Sequence, residues 1–139
     1  MSNGIFSIIG SALNAQDMRM SAIASNLANS SSIAKPGEEP YRAREVVFQA
    51  MPIDGSNGSD TQLGVEVDGV VQSNTPPSMT YDPGNPDANA QGYVVGSNVS
   101  PVDEMINMID SSNSYSASIA MLQQESRIDQ QMINGFQVA

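Results

Sequence analysis

Both ends of this 139-residue chain carry apolar residues at alternating spacings of three and four, whereas the stretch between them is interrupted by proline and glycine. Such spacing places apolar side chains on one stripe of an α-helix, where they can pack on a partner helix. The middle holds all 8 prolines except Pro101. We therefore predict an N-terminal helical arm over 1–29, a loop and small β-rich domain over 30–100, and a C-terminal helical arm over 101–139.

Each arm has one apolar stripe, which we call its seam. In the first arm the seam comprises Phe6, Ile9, Leu13, Met20, Ile23 and Leu27, with the polar residue Gln16 among them. In the second arm it comprises Met105, Met108, Tyr115, Ile119, Leu122, Ile133 and Phe136, interrupted by Ser112, Ser126 and Asp129. The seams predict an α+β fold in which the N- and C-terminal helices form an antiparallel coiled coil, with a small β-rich domain of hairpins inserted between them.

The seams also predict a register for the helix pair. An antiparallel register that puts Gln16 opposite Ser126 covers more apolar surface than a slip of one heptad, and leaves Leu13 opposite Asp129 as its one discordant pair. Its apolar pairs are Phe6 with Phe136, Ile9 with Ile133, Met20 with Leu122, Ile23 with Ile119, and Leu27 with Tyr115. In this register the longer second arm overhangs the first and supports the β-rich domain.

The middle segment has short extended runs separated by turn-forming clusters. The runs are 44–51, 65–72 and 93–95, and the clusters are 54–60, 75–77 and 82–85. Valine-rich runs bounded by Gly, Pro, Asn and Asp are typical of hairpins. The second arm begins with a clear signal, because Ser100 can cap a helix, Pro101 suits its first position, and two acidic residues follow at the positive end of the dipole.

If the two helices pack only on each other through their seams, several other apolar side chains stay uncovered. These are Ile5, Ile8, Ile106, Ile109, Met121, Ile128 and Met132. A lone helix pair cannot cover them, so the pattern favours a subunit that assembles with other chains, or arms that fray in the monomer. Asn26 and Asn29 form an amide-rich face near the end of the first arm. They either end the helix or donate side-chain hydrogen bonds to an adjacent subunit.

Composition excludes several functions. The net charge of −10 repels phosphate backbones and anionic lipid headgroups, so we expect no nucleic-acid partner and no membrane insertion. The chain has no His and no Cys, hence no imidazole base or ligand and no thiolate nucleophile. We expect no enzymatic activity and no cofactor. The first sixteen residues lack the basic start and unbroken apolar region of a signal peptide, so any export would occur without a cleaved leader.

Two candidate sites are weak. The segment 54–60 resembles a calcium loop, but its sixth position is Ser59 where Gly is needed, and its twelfth is Val65 where a bidentate Glu is needed. Four carboxylates have no legible partner base, and we interpret them as turn and helix-start residues: Asp82, Asp87, Asp103 and Glu104. We therefore predict neither a metal site nor a catalytic site.

Four stretches, in order along the chain, resemble the rod, hook and hook-associated protein family of the bacterial flagellum, and its proximal rod proteins in particular. They are 24–29 (Ala-Ser-Asn-Leu-Ala-Asn), 40–49 (beginning Pro-Tyr-Arg), 81–87 with 92–94 (beginning Tyr-Asp-Pro-Gly), and 104–109 with 114–115 (beginning Glu-Met-Ile). After Asn29 the chain reads Ser-Ser-Ser-Ile, where relatives tend toward a Thr or Ser and Gly turn.

The resemblance implies a structural subunit whose terminal helices pack into the inner tube of a periplasmic rod, transmit torque and form part of the export channel wall. It implies delivery through the flagellar type III export apparatus. The implied partners are copies of itself, other proximal rod proteins, the distal rod and the rod-base adaptor at the membrane ring. A needle-type subunit of a related type III secretion system is the alternative, although it would lack the stretch from Tyr81 to Tyr93.

Overall fold

The chain folds into two long helices at its ends and five short strands between them. The computed structural model describes residues 2–52 and 63–137. Its elements are α1 (Ser2–Ala28), β1 (Ile33–Ala34), β2 (Arg44–Pro52), β3 (Leu63–Gln72), β4 (Met79–Tyr81), β5 (Tyr93–Gly96) and α2 (Pro101–Gln137). The α+β class is as predicted. The start of α2 at Pro101 is confirmed, and the Ser100 hydroxyl accepts a hydrogen bond from the Asp103 amide at 3.5 Å.

The two helices pack side by side in an antiparallel arrangement. Near the C-terminal end of α1, Asn26 donates a hydrogen bond to Glu104 at 3.1 Å, and one-third of the way along α2 the Ser111 hydroxyl donates to Gln16 at 2.9 Å. Near the start of α1, Phe6 lines a groove together with Leu122. The predicted register is therefore wrong by about two heptads, since Phe6 lies beside Leu122 instead of Phe136.

The register error moves the overhang of α2 to the opposite end of the pair. Residues from about 128 onward extend past the start of α1, at the end of the helix pair opposite to β1 and β5. Ile133 is 57% exposed and Phe136 is 85% exposed, so their predicted pairings with Ile9 and Phe6 are wrong. The inner face of α2 is also rotated by about one residue from the predicted seam, because Ser111 is buried where Ser112 was expected.

The short connections beyond the helix ends account for the register. Strand β1, four residues after α1, pairs with β5, four residues before α2. Ser97, just after β5, donates its hydroxyl to the Ser30 carbonyl at 2.7 Å and its amide to the Ser32 carbonyl at 3.1 Å. These contacts bring the C-terminal end of α1 level with the N-terminal end of α2.

Strands β2 and β3 form an antiparallel hairpin that packs against α1. Arg44 pairs with Gln72 and Pro52 with Leu63, with a register shift between Val47 and Phe48. An isolated two-stranded ribbon is only marginally stable in water, so its packing on α1 stabilises it. Both strands were predicted from their valine-rich runs, and the segment 54–60, including the calcium-loop candidate, lies outside the described residues.

A second sheet, which we call the small sheet, has the strand order β1–β5–β4. The sequence predicted β5 but missed β1 and β4, which are two and three residues long and carry no periodicity. The T-shaped pair of Tyr81 and Tyr93, with ring centroids 5.2 Å apart, joins β4 to β5.

The apolar core is thin. The buried apolar residues are Ile9, Ala15, Ile23, Ala43, Val94 and Val99. These residues are distributed over α1, the loop before β2, the small sheet and the segment before α2. The described residues therefore form no single compact core. Polar contacts between elements therefore have a large share in fixing their relative positions.

Candidate assembly interface

Asn26 is the most connected side chain at the junction of the helices and the hairpin. It is 1% exposed. Its amide nitrogen donates to the Arg44 carbonyl at 2.9 Å and to the Glu104 carboxylate at 3.1 Å. Its amide oxygen accepts from the Arg44 amide at 2.8 Å and from the Tyr41 hydroxyl at 3.1 Å. One side chain thus joins α1 to the loop before β2, to β2 itself and to α2.

These bonds use both donors and both lone pairs of the Asn26 amide. The side chain therefore has nothing left to offer an adjacent subunit, and its predicted role as an intersubunit contact is wrong. Asn29 differs, since it is half-buried and donates to the Ser25 carbonyl at 2.8 Å, closing the last turn of α1. Helix termination explains this bond, and a contact of Asn29 with a neighbour stays a prediction.

Tyr41, Glu104 and Ser97 belong to the same junction, and sequence analysis gave none of them a structural role there. Tyr41 and Asn26 are 15 positions apart, whereas Asn26 and Glu104 are 78 apart. No periodic pattern links residues at such separations. The one available signal was the acidic residue in the first turn of α2, which we assigned to the helix dipole.

Among the described elements, α2 carries the most exposed large apolar side chains. Its outer residues form a stripe that we call the outer stripe, comprising Val102, Ile106, Ile109, Met121, Ile128 and Met132. These side chains are between 40% and 67% exposed. Ile106, Ile109, Met121, Ile128 and Met132 were predicted to lie outside the seam. On α1, Ile5 is 41% exposed and Ile8 is half-buried.

A groove lies at the start of α1, where α2 extends beyond the helix pair. Phe6, Leu122, Gln123, Ser126 and Arg127 line a space of about 560 Å³. Beyond it lie the exposed side chains of Ile133 and Phe136 on the overhang. Apolar side chains thus continue along α2 from the groove to the end of the helix, with no other part of the described chain covering them.

The acidic residues form no recognisable reaction centre. Within residues 2–52 and 63–137, no cluster of three or more Asp or Glu side chains is arranged to hold a metal ion. Glu104 borders a cleft of about 310 Å³ with Arg19, Arg44 and Glu45, and one of its oxygens accepts from Asn26. Among the described residues, neither helix combines the length and apolar character needed to span a bilayer.

Comparison with known proteins identifies relatives of this chain. The family model for the flagellar basal body rod FlgEFG protein C-terminal region matches residues 90–135, which include β5 and most of α2. The flagellar basal-body rod protein FlgC of Salmonella typhimurium is 48% identical over 118 residues, which are 85% of each chain. The protein of the same name from Escherichia coli O6:H1 is 47% identical over the same shares.

A more distant relative has the same name. The flagellar basal-body rod protein FlgC of Bacillus subtilis is 36% identical over 127 residues, covering 83% of this chain and 85% of its own. The similarity therefore extends well beyond the C-terminal helix, and includes most of the segment that carries the strands.

Proposed function

Because this chain belongs to the FlgC family of flagellar basal-body rod proteins, we propose that it is a structural subunit of the proximal rod and assembles through its helix pair. Its partners are copies of itself, other proximal rod proteins, the distal rod and the rod-base adaptor at the membrane ring. The helix pair packs as a coiled coil and forms part of the channel wall. The residues 30–100 form the β-rich part of the subunit, which lies against the helix pair.

The observation that carries this proposal is the outer stripe. The stripe has one group of exposed apolar side chains near the start of α2 and a second group from Met121 to Met132. Such groups are typical of a surface that another chain covers. Contacts of different patches on successive subunits give open helical growth, which is the geometry a rod requires.

The mechanism we propose is passive. Many shallow helix contacts repeated along the rod make a stiff tube, which transmits torque across the periplasm without any chemical step. The chain reaches the rod through the flagellar type III export apparatus. The absence of cysteine from the sequence suits a chain that unfolds and refolds outside the cytosol, since no thiols can pair wrongly.

Introduction of a charge at an exposed apolar side chain tests the assembly surface. Met121 is 62% exposed, so Met121→Glu should leave the thermal unfolding of the purified chain unchanged. In cells that carry the variant as their sole copy, we expect loss of swimming and absence of the chain from purified basal bodies. Gln91→Glu, at an exposed polar position in the turn before β5 and off both helices, is the matched control and should be incorporated normally.

Electron microscopy of the control basal bodies should locate the chain in the proximal rod. If the Met121→Glu chain were incorporated as well as the control, α2 would not be packed against a neighbour at this position. If the wild-type chain were absent from basal bodies, the rod assignment itself would fail.

A further inference from the structure

The β2–β3 hairpin rests on α1 between two clefts. A cleft of about 310 Å³ lies between β2 and the two helices, and one of about 370 Å³ lies between α1 and Val70 of β3. Ala22 of α1 borders both clefts and so marks the line of contact between them. Among the residues of β2 and β3, only Gly64 is buried. Apolar burial by the strands therefore contributes little to holding the hairpin on α1.

Asn26 holds the start of β2 in the way that a neighbouring strand would. The Ser73 amide donates to the Ala43 carbonyl, so the next residue, Arg44, directs its backbone N–H and C=O away from β3. The Asn26 amide accepts from this N–H at 2.8 Å and donates to this C=O at 2.9 Å. It also accepts from the Tyr41 hydroxyl at 3.1 Å. Several hydrogen bonds thus attach this end of the hairpin to α1.

Ser11 attaches the hairpin to α1 farther along β3. Its hydroxyl accepts from the Val65 amide at 3.1 Å and donates to the Ile8 carbonyl of its own helix at 2.8 Å. Ser11 and Asn26 are separated by about 22 Å along the axis of α1. A single hydrogen bond between neutral groups is a weaker attachment than the set of bonds at Asn26. The start of β2 is therefore held more firmly than the part of β3 that contains Val65.

Ala15 is buried beneath the hairpin. It lies on the same face of α1 as Ser11 and Ala22, since the three are spaced by four and seven residues. Ser11 contacts β3, Ala22 borders the clefts beside the hairpin, and Ala15 between them is 3% exposed. The contact with α2 lies on another face, where Gln16 meets Ser111. Detachment of the hairpin would therefore uncover position 15 while the helix pair stays closed.

We propose that the hairpin is a movable arm, which stays attached to α1 at Asn26 and detaches from it at Ser11; we call the Ser11 hydroxyl the latch. Parts of a fold that bury few apolar contacts are the ones that open without global unfolding. Opening of the arm uncovers a row of small side chains on α1, comprising Ser11, Ala15 and Ala22. This inference concerns the single chain and does not depend on the rod assignment.

Thiol labelling measures the opening, because the chain has no cysteine of its own. One reporter chain carries Ala15→Cys beneath the hairpin, and a second carries Ser111→Cys, at a completely buried position between the helices. Each reacts with dithiobis(nitrobenzoic acid), and its rate is divided by that of the same chain unfolded in urea. A buried thiol reacts only while its cover is open, so this ratio follows the open fraction.

We expect the ratio at position 15 to be at least tenfold higher than at position 111. Equal ratios would overturn the proposal, because the hairpin would then detach only when the helix pair opens. Amide hydrogen exchange of the chain without a reporter gives the same comparison independently of the introduced thiol. The Val65 amide should exchange at least tenfold faster than the Arg44 amide, and the reverse order would contradict an arm that opens at Ser11.

Removal of the latch tests the role of Ser11. With Ser11→Ala we expect labelling at position 15 to become at least threefold faster, while labelling at position 111 is unchanged. Ser11→Thr keeps the hydroxyl and should keep the slow rate. Ser21→Ala, at an exposed position on α1, is the matched control. An effect of Ser11→Ala no larger than that of Ser21→Ala would overturn the latch, and an equal increase at positions 15 and 111 would show that the helix pair opens instead of the arm.

Discussion

Ser111 donates a hydrogen bond to the side-chain oxygen of Gln16 at 2.9 Å, with the serine completely buried between the two helices. The small side chain lets the helix backbones approach, and its hydroxyl satisfies the one polar residue in the seam of α1. The sequence predicted that Gln16 would meet a serine and chose Ser126. Gln16 does meet a serine, as predicted, but that serine is residue 111 and not residue 126.

Replacing Ser111 by Val should destabilise the helix pair. The larger side chain has no space, and Gln16 loses its buried partner, so we expect a loss of about 1–3 kcal/mol in the free energy of unfolding. Urea denaturation followed by circular dichroism measures the change. Ser112→Val, at the exposed neighbouring position, is the control and should change stability by less than about 0.5 kcal/mol. Equal losses in the two variants would mean that Ser111 is not inside the interface.

The two asparagines near the end of α1 should differ in their effect on stability. Asn26→Ala removes four hydrogen bonds and leaves both backbone groups of Arg44 without this partner, so we expect a loss of at least about 2 kcal/mol. Asn29→Ala removes the bond to the Ser25 carbonyl and should cost about 0.5–1.5 kcal/mol. Chemical denaturation of both variants under the same conditions provides the comparison. A loss for Asn29→Ala as large as for Asn26→Ala would contradict the central position of Asn26.

The helices and the long hairpin were predictable because their signals are local. Alternating spacings of three and four mark α1 and α2, Ser100 and Pro101 mark a helix start, and valine-rich runs mark β2 and β3. Strands β1 and β4 could not be found this way, since each is too short to show a period and forms only when β5 lies beside it.

The register and the junction required information that is not local. A heptad pattern repeats, so an antiparallel pair has several alignments of similar apolar quality. What separates them here is the pairing of β1 with β5 and the contacts of Asn26, whose partners lie up to 78 positions away. The observed alignment leaves Ile133 and Phe136 exposed, and it avoids the contact of Leu13 with Asp129 that the predicted alignment contains.

Limited trypsin digestion of the purified chain should cut first at Arg127. The chain has 5 basic residues, and Lys35 is followed by proline, which protects it from trypsin. Arg19 and Arg42 are half-buried, and Arg44 lies in a paired strand. Arg127, in contrast, borders the overhang, where α2 has no helix beside it and opens at low cost.

Mass spectrometry should therefore detect release of residues 128–139 before any other fragment. Arg127→Gln is the control and should delay the first cleavage. Because we propose that neighbouring subunits cover the overhang, the same bond should resist trypsin in purified basal bodies. A first cut at Arg19 instead would show that the helix pair itself opens more easily than the overhang.

Gly92, at the turn before β5, should tolerate no side chain. Its φ of +79° is in the left-handed region, and a β-carbon there would lie 2.9 Å from the Tyr81 ring and 3.2 Å from the Pro83 side chain. Gly92→Ala should therefore combine backbone strain with displacement of Tyr81, at a loss of about 1–3 kcal/mol. Gly84→Ala is the matched control, because the nearest atom to its β-carbon is an Asp82 carboxylate oxygen at 3.7 Å.

The location of the damage can be measured separately from its size. Tyr81 and Tyr93 stack edge to face in the small sheet, and the chain has no tryptophan, so the near-ultraviolet circular dichroism reports largely on its 4 tyrosines. If Gly92→Ala acts by moving Tyr81, this signal should fall while the far-ultraviolet helical signal before unfolding stays unchanged. A loss of helical signal in the folded baseline would instead mean that the small sheet supports the ends of α1 and α2 so strongly that they unwind when it is disturbed. An unaltered tyrosine signal, with stability equal to that of Gly84→Ala, would show that the turn relaxes around the new side chain, contrary to the close packing of Gly92 against Tyr81.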